Sequence, residues 1–426
     1  MLAMASLPAW SDGLPTQTAP EVTETETIEM ARIETPYYNA ADSEFGNSDL
    51  SNNETFMKGK AADGRRLDEW TKASKPSMKF GGYIIGKYAW EDRDAMNTSQ
   101  DGFNLRLVRL YVSGEVFRDF KYRLQLEVNG TPHIKDATLE WVHWKEFSIK
   151  AGQFKRAFTF ENPYNPFDVG VGDYSQLVKK LAGFDDHINS SSKKYEVKTN
   201  GGRDLGIQFQ GDLFPSRRDG HTFLHYQLGF YNGQGINTWD VDKKKDIIGT
   251  LQFNPIKNLA IGVFGWKGTI GVKETFGTNN EFSGIRSTKR NRLAVGAKYE
   301  SDWTFRTEYA RSWGYKLDDY EWNEDVKLYT AKASASAKGK EADAFYATLG
   351  IPCAPWLKAY LKYDLYRQYA DDTYMNSIYS AALNFKFTKN LYFQAQYNFV
   401  DTKKKANNST NHNNYNQLWA MMYVRF

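Results

Sequence analysis

Arg109, Lys121 and Arg123 stand on one side of two neighbouring segments in which every second residue is apolar. In 120–129 the even positions are Phe120, Tyr122, Leu124, Leu126 and Val128, and the odd ones are Lys121, Arg123, Gln125, Glu127 and Asn129. A period of two belongs to a β-strand, whose side chains point alternately to opposite faces. Fixed charges lining a water-filled enclosure with low-dielectric walls select ions: they focus a field and favour counter-ions. Extending the alternation along the chain assigns inward cations at Arg109, Lys121, Arg123, Lys150, Arg292, Lys298, Arg306, Lys358, Lys362, Lys386 and Arg425. Inward anions fall at Glu115, Glu127, Glu140, Asp204, Asp246, Glu300, Glu308 and Asp364. Eleven against eight is a slight cationic excess, and Glu115 and Glu127 share a wall with Arg109, Lys121 and Arg123 and can neutralise them. A full basic ladder, as specific phosphate binding would need, cannot be placed.

Other chemistries find no anchor. The six histidines, His133, His143, His187, His221, His225 and His412, are scattered without metal-ligand spacing. No Gly-x-Ser-x-Gly elbow and no phosphate loop occurs, which removes the usual signs of nucleophilic and nucleotide chemistry. A lipid hydrolase would need a Ser and His on neighbouring strands at the lipid boundary, and no such pair is evident. The chain reads as a non-enzyme without a cofactor. A net charge of +4 among 55 basic and 51 acidic residues is too weak and evenly spread to imply nucleic acid. Cys353 is the single cysteine and makes no intrachain disulfide.

The elements that must carry the charged rows are strands. Leu357, Ala359, Leu361, Tyr363 and Leu365 alternate with Lys358, Tyr360, Lys362 and Asp364. Leu391, Phe393, Ala395, Tyr397 and Phe399 alternate with Tyr392, Gln394, Gln396 and Asn398. The final segment, Gln417 to Phe426, does the same and ends on an aromatic residue, like the closing strand of bacterial outer-membrane barrels. Mean hydropathy is −0.65, and no apolar run reaches the roughly 18 residues that a membrane helix requires. A membrane strand needs only about 9 to 11 residues, half of which face a lumen. Aromatics at 15% fit interfacial girdles. A soluble β-sandwich would alternate too, but strands of about ten residues tilted about 45° span roughly 23 Å, the height of an outer-membrane band.

From residue 78 onward about sixteen strand-like segments alternate between tight and long connections, the pattern of a barrel inserted from one side. Tight turns recur at HWKE, PSRRDG, NPIKN, ESD, PCAP and TKN; long connections fall near 156–202, 233–245, 267–291, 313–341, 368–376 and 402–416. The expected fold is an all-β, transmembrane, antiparallel up-and-down barrel over 77–426. Residues 1–76 form a separate acidic leader, rich in Thr, Glu, Ser and Asn over 17–55 and too poor in apolar residues to pack. Residues 1–10, MLAMASLPAW, carry the small-residue pattern of a secretory signal at Ala3 and Ala5 without its basic start or full apolar core. The leader is read as periplasmic and mobile, with a pore plug or partner-binding segment as the alternative.

The connection 156–202 is the longest, and Phe158, Phe160, Tyr164, Phe167, Tyr174, Leu177, Val178, Leu181 and Phe184 make it too apolar for a solvated loop. It is expected to fold inward. Lys179, Lys180, Asp185 and Asp186 then either stand near the narrowest point or are solvated charges of a short helix.

Two stretches resemble the phosphate-selective porin O and P family. The order Arg-x-x-Arg-Leu, Gly-x-x-Phe-x-x-Phe-x-Tyr, Lys-Asp-Ala-x-Leu-Glu and Gly-Gln-Phe-Lys is carried by Arg106, Arg109, Leu110, Gly114, Phe117, Phe120, Tyr122, Lys135, Asp136, Ala137, Leu139, Glu140, Gly152, Gln153, Phe154 and Lys155. The resemblance implies a sixteen-stranded homotrimeric outer-membrane barrel whose third long loop forms a constriction. The combined expectation is a porin in the bacterial outer membrane, surrounded by lipid, conducting small polar, weakly anion-preferred solutes. Its pore-lining residues are expected at Arg109, Lys121, Arg123, Glu127, Lys150, Arg292, Arg306, Lys358 and Lys362. The alternatives are a barrel subunit of an outer-membrane assembly or secretion complex, occupied by its own leader or by an outer-membrane or periplasmic protein partner, and a phosphate-specific channel.

Overall fold

The computed structural model describes residues 76–93, 101–117, 119–184, 201–276, 282–314, 320–323, 328–331, 341–406 and 409–426. The leader, apart from Pro76, and the signal-like residues 1–10 lie outside them. So do Asp185 and Asp186.

Alternation of apolar and polar residues has produced long antiparallel strands. They are β1 (Lys79–Glu91), β2 (Gly102–Phe117), β3 (Phe120–Glu127), β4 (His133–Trp141), β5 (Ser148–Lys155), β6 (Arg203–Pro215), β7 (Thr222–Tyr231), β8 (Asp246–Ile256) and β9 (Leu259–Phe276). Then follow β10 (Phe282–Glu300), β11 (Thr304–Trp313), the short β12 (Tyr320–Asn323) and β13 (Leu328–Ala331), and β14 (Glu341–Ala354). The chain ends with β15 (Leu357–Arg367), β16 (Tyr374–Thr388), β17 (Leu391–Ala406) and β18 (Ser409–Arg425). Among the described residues sixteen of these close into one barrel, each strand pairing with its sequence neighbour and β1 pairing with β18. β12 and β13 form a separate hairpin within the connection between β11 and β14.

Closure is made by the aromatic carboxy terminus. Tyr83 lies opposite Arg425 and Glu91 opposite Gln417, and the Phe426 amide donates to Gly82 O at 3.0 Å while Gly82 N donates back to Phe426 O at 2.9 Å. A closed barrel leaves no unpaired edge, the condition lipid imposes on strands. Leu124, Leu361, Leu418 and Val263 are exposed on the outer face, whereas Arg123, Gln125, Lys362 and Gln417 are buried inside. Phe214, Trp303, Trp356, Phe387 and Phe426 stand exposed along the tight-turn rim, as an interfacial girdle would. One of the two-residue turns of that rim, at Lys257 and Asn258, places Asn258 at φ +82°, a left-handed conformation that asparagine tolerates.

The expected connections at 267–291 and 402–416 are corrected. β9 and β10 stay paired out to Phe276 and Phe282, and β17 and β18 out to Ala406 and Ser409. Ladder hydrogen bonds need no lipid face, so polar segments such as Lys403 to Lys405 opposite Thr410 to His412 continue the strands where the apolar signal has ended.

The lipid-facing assignment makes a direct prediction. Leu124 is exposed on the outer face in the middle of β3, so Leu124→Arg is expected to destabilise the barrel by about 2–4 kcal/mol if it lies at the bilayer midplane. Equilibrium unfolding in lipid vesicles, with Leu124→Ile as the control, checks this.

Candidate functional site

The described part of the third connection, 156–184, does fold inward, and it lies against one side of the barrel. Phe158, Phe160, Tyr164, Val169, Val171, Tyr174, Leu177, Val178 and Leu181 form one buried cluster with the inward residues Ile248, Ala260, Phe264, Trp266, Ala294, Ala310, Ala342, Ala344, Tyr346, Tyr360 and Ala382 of β8–β11 and β14–β16. Phe167 seats in a second cluster with Tyr83, Ile85, Met421 and Tyr423 of β1 and β18. The expectation that inward rows are uniformly polar is therefore corrected: this wall is apolar because a loop, not water, covers it. Small inward residues, Ala260, Ala294, Ala310, Ala342 and Ala344, make room for the loop's aromatic rings.

Hydrogen bonds fix the loop's backbone onto the same wall. The Glu308 carboxylate on β11 accepts from Phe160 N at 2.6 Å and Glu161 N at 2.9 Å, and from the Tyr346 hydroxyl at 2.6 Å. A single-turn helix, α1 (Gln176–Leu181), is capped by Ser175 and packs against β11, β14 and β15. Its first amide, Gln176 N, donates to the Asp364 carboxylate at 2.9 Å. Arg306 donates to the carbonyls of Asp168 and Val169 at 3.0 and 2.9 Å, and Arg292 to that of Leu181 at 2.6 Å. Gly183, at φ +89°, follows α1 so closely beside the Arg156 guanidinium that a Cβ there would collide with it.

Several expected pore-lining cations are thus spent on the loop. Arg292 and Arg306 hold its carbonyls, and Lys362 lies buried between Glu161 (3.4 Å) and Asp364 (3.8 Å). Lys358 donates to Thr304 Oγ1 at 2.8 Å. In α1, Lys179 pairs with Asp173 at 2.5 Å, and Asp173 also holds Arg106 at 2.8 Å; Lys180 follows it on the helix. Enclosure alone would raise the Asp173 carboxyl, but Lys179 and Arg106 together hold it well below the usual carboxylate range.

What remains open lies on the other side. A cavity of about 100 Å³ is lined by Arg109, Arg123, Lys150, Lys155, Arg156 and Arg203, with Asp136 the one carboxylate at its surface. The wall comes from β2–β7 with Tyr83 of β1, and the loop contributes Arg156, Ala157, Pro163, Asn165 and Pro166. Arg109 pairs with Glu127 at 2.7 Å and donates to the Tyr83 hydroxyl at 2.8 Å. Arg203 meets Asp136 at 2.6 Å, Arg123 reaches the same carboxylate at 3.8 Å, and Lys150 pairs with Glu140 at 3.3 Å. Arg156 is fully buried on Asp204 at 2.7 Å. Lys155 differs in its acceptors: it donates to the Tyr164 carbonyl at 2.5 Å and the Tyr174 hydroxyl at 3.1 Å. Six cations stand against the four carboxylates Glu127, Asp136, Glu140 and Asp204, a net positive wall. Lys121 sits half-buried lower on β3, opposite Glu115 and Glu140 in register.

Of the expected lining residues, the fold gathers Arg109, Arg123 and Lys150 at this opening, with Glu127 behind it as the partner of Arg109. It assigns Arg292, Arg306 and Lys362 to the loop seat. Strand alternation missed Lys155, Arg156 and Arg203, which stand where β5 and β6 join the loop and the period of two ends. The run Gly-Gln-Phe-Lys, ending at Lys155, was the available signal.

A family model for phosphate-selective porin O and P matches residues 84–243, which include most of β1, all of β2–β7 and every residue lining the cavity except Tyr83. Over that stretch the chain is similar to the phosphate-selective porin O and P family. Solved structures agree with this porin's fold. An anion-selective porin from Comamonas acidovorans is similar over 83% of this chain and 100% of its own, with 13% identity and a TM-score of 0.56. OmpT of Vibrio cholerae, in its trimer form, is similar over 83% and 100%, with 11% identity and a TM-score of 0.52. The outer membrane channel DcaP of Acinetobacter baumannii covers 83% and 99%, with 11% identity and a TM-score of 0.50. No curated protein sequence matches the chain. At these identities the structures speak for the barrel architecture, and the porin's selectivity has to be argued from its own lumen.

Proposed function

We propose that this porin conducts small polar solutes passively across the bacterial outer membrane, with a weak preference for anions, along the basic side of its lumen. One observation carries the reading: the loop covers the apolar wall, and the space it leaves is lined by six cations and one carboxylate. A positive wall in a narrow, low-dielectric opening raises the local concentration of anions and lowers that of cations. The preference is weak because five of the six cations face carboxylate partners. Phosphate specificity would call for a cage of donors not already occupied, so it lies outside this reading. The family and the trimeric form of the OmpT relative support a homotrimer, with one such path in each subunit.

Planar-bilayer recording tests the reading. Purified protein is expected to give stepwise, ohmic conductance, and in a KCl gradient a reversal potential displaced toward that of chloride by a few-fold permeability ratio. A membrane that stays silent, or a displacement toward potassium, would reject it.

A further inference from the structure

Resting on the reading of this lumen as an anion path, a second chemistry on the same wall narrows the class of anion. Gln208, Gln210 and Gln227 of β6 and β7 line the cavity beside Lys150 and Arg203. They form a directed relay: the Tyr231 hydroxyl donates to Gln208 Oε1 at 2.7 Å, Gln208 Nε2 to Gln210 Oε1 at 2.6 Å, and Gln210 Nε2 to Glu140 Oε1 at 2.7 Å. A primary amide has two N–H donors and two acceptor lone pairs. The relay uses one donor and one lone pair of Gln208 and of Gln210, and leaves one of each. Gln227, opposite Gln210 in register, has no side-chain hydrogen bond among the described residues.

Each glutamine therefore presents donor and acceptor capacity within a surface that already attracts negative charge. Halide, or a plain carboxylate, can use the cations and accept from the amide N–H groups, but has no donor for the amide oxygens. A carboxylate bearing hydroxyl groups uses both, because a hydroxyl, like an amide, donates and accepts. A site that hydrogen-bonds a hydroxyl discriminates against the analogue lacking it, since its polar groups are then left without that partner. A cavity of about 100 Å³ suits a short-chain solute.

We infer that the lumen preferentially binds small hydroxylated carboxylates, of the tartrate type, over unhydroxylated carboxylates of equal length and charge. Gln210 and Gln227 are partly exposed and so already hydrated, and the advantage is that of about one net hydrogen bond, or about tenfold in apparent affinity.

Tartrate and succinate are the probes: both are four-carbon dianions at neutral pH and differ by two hydroxyls. The full chain is placed in planar bilayers with KCl carrying the current, and each probe is added to one side while the fraction of blocked current is read. Tartrate is expected to half-block at about one-tenth of the succinate concentration. Gln227→Leu is expected to bring that ratio to within about twofold. Equal block by the two probes on the unaltered porin would overturn the inference, as would a ratio that Gln227→Leu leaves intact. The KCl reversal potential, read in the same membranes, separates the two claims. A displacement toward chloride with equal block defeats only the hydroxyl preference; a displacement toward potassium defeats the anion path and this inference with it.

Discussion

Replacing Arg123 and Lys150 together with glutamate is expected to invert the porin's ion preference. Both side chains line the opening, and Arg123 is among its buried residues. Six cations and four carboxylates become four and six, so the net charge of the wall changes sign. Charge reversal acts here through a field focused between low-dielectric walls, where ions passing the constriction have little water to screen them. The KCl reversal potential should move from the chloride side to the potassium side. Arg123→Gln with Lys150→Gln makes the numbers equal and should bring the reversal potential close to zero. Arg306→Gln is the informative contrast. That residue points inward but donates to the carbonyls of Asp168 and Val169 and pairs with Glu300 at 2.6 Å, so its loss should loosen the loop far more than it alters selectivity.

The second large effect concerns the loop seat. Glu308→Ala removes a buried carboxylate that accepts three hydrogen bonds, from Phe160 N, Glu161 N and the Tyr346 hydroxyl. A buried donor left without an acceptor costs about 1–3 kcal/mol, so three of them weaken the seat by roughly 3 kcal/mol or more unless water enters to replace the carboxylate. Either route detaches the segment around Phe160 from β11. Single-channel conductance is expected to rise and to become noisy as the loop samples positions away from the wall. Amide hydrogen exchange at Phe160, Glu161 and Gln176 should accelerate while strands β2–β5 keep their protection. A quiet channel of unchanged conductance would show that apolar packing alone fixes the loop.

The barrel was legible because lipid imposes a strict rule on alternate residues. Phe120 to Asn129 and Leu357 to Leu365 carry it without exception, and a cation on the lipid face would cost about 2–4 kcal/mol at midplane. The upper ends of β9, β10, β17 and β18 were not legible, since backbone ladders persist where no lipid enforces a pattern. The inside obeyed a looser rule. Inward positions face either water or the loop, and Arg306 and Arg109 look alike in a period-two reading although one grips loop carbonyls and the other borders the opening. What distinguished the walls was residue size: inward alanines on β9–β11 and β14 mark the side where the loop's aromatic rings lie. Lys155 and Arg203 escaped strand alternation because each stands at the junction of a strand with the loop, and only the fold brings them together.

The central claim, that solutes pass between the loop and the β2–β7 wall and not along the loop-covered wall, can be tested by thiol accessibility. Cys353 is exposed and is first replaced by serine. Thr138→Cys then places a thiol at the opening, and Ala310→Cys places one beneath the loop. An anionic methanethiosulfonate reagent added during bilayer recording should modify Thr138→Cys within the recording time and lower its conductance, while Ala310→Cys stays unmodified. Rapid modification and block at Ala310→Cys, with Thr138→Cys inert, would contradict the account.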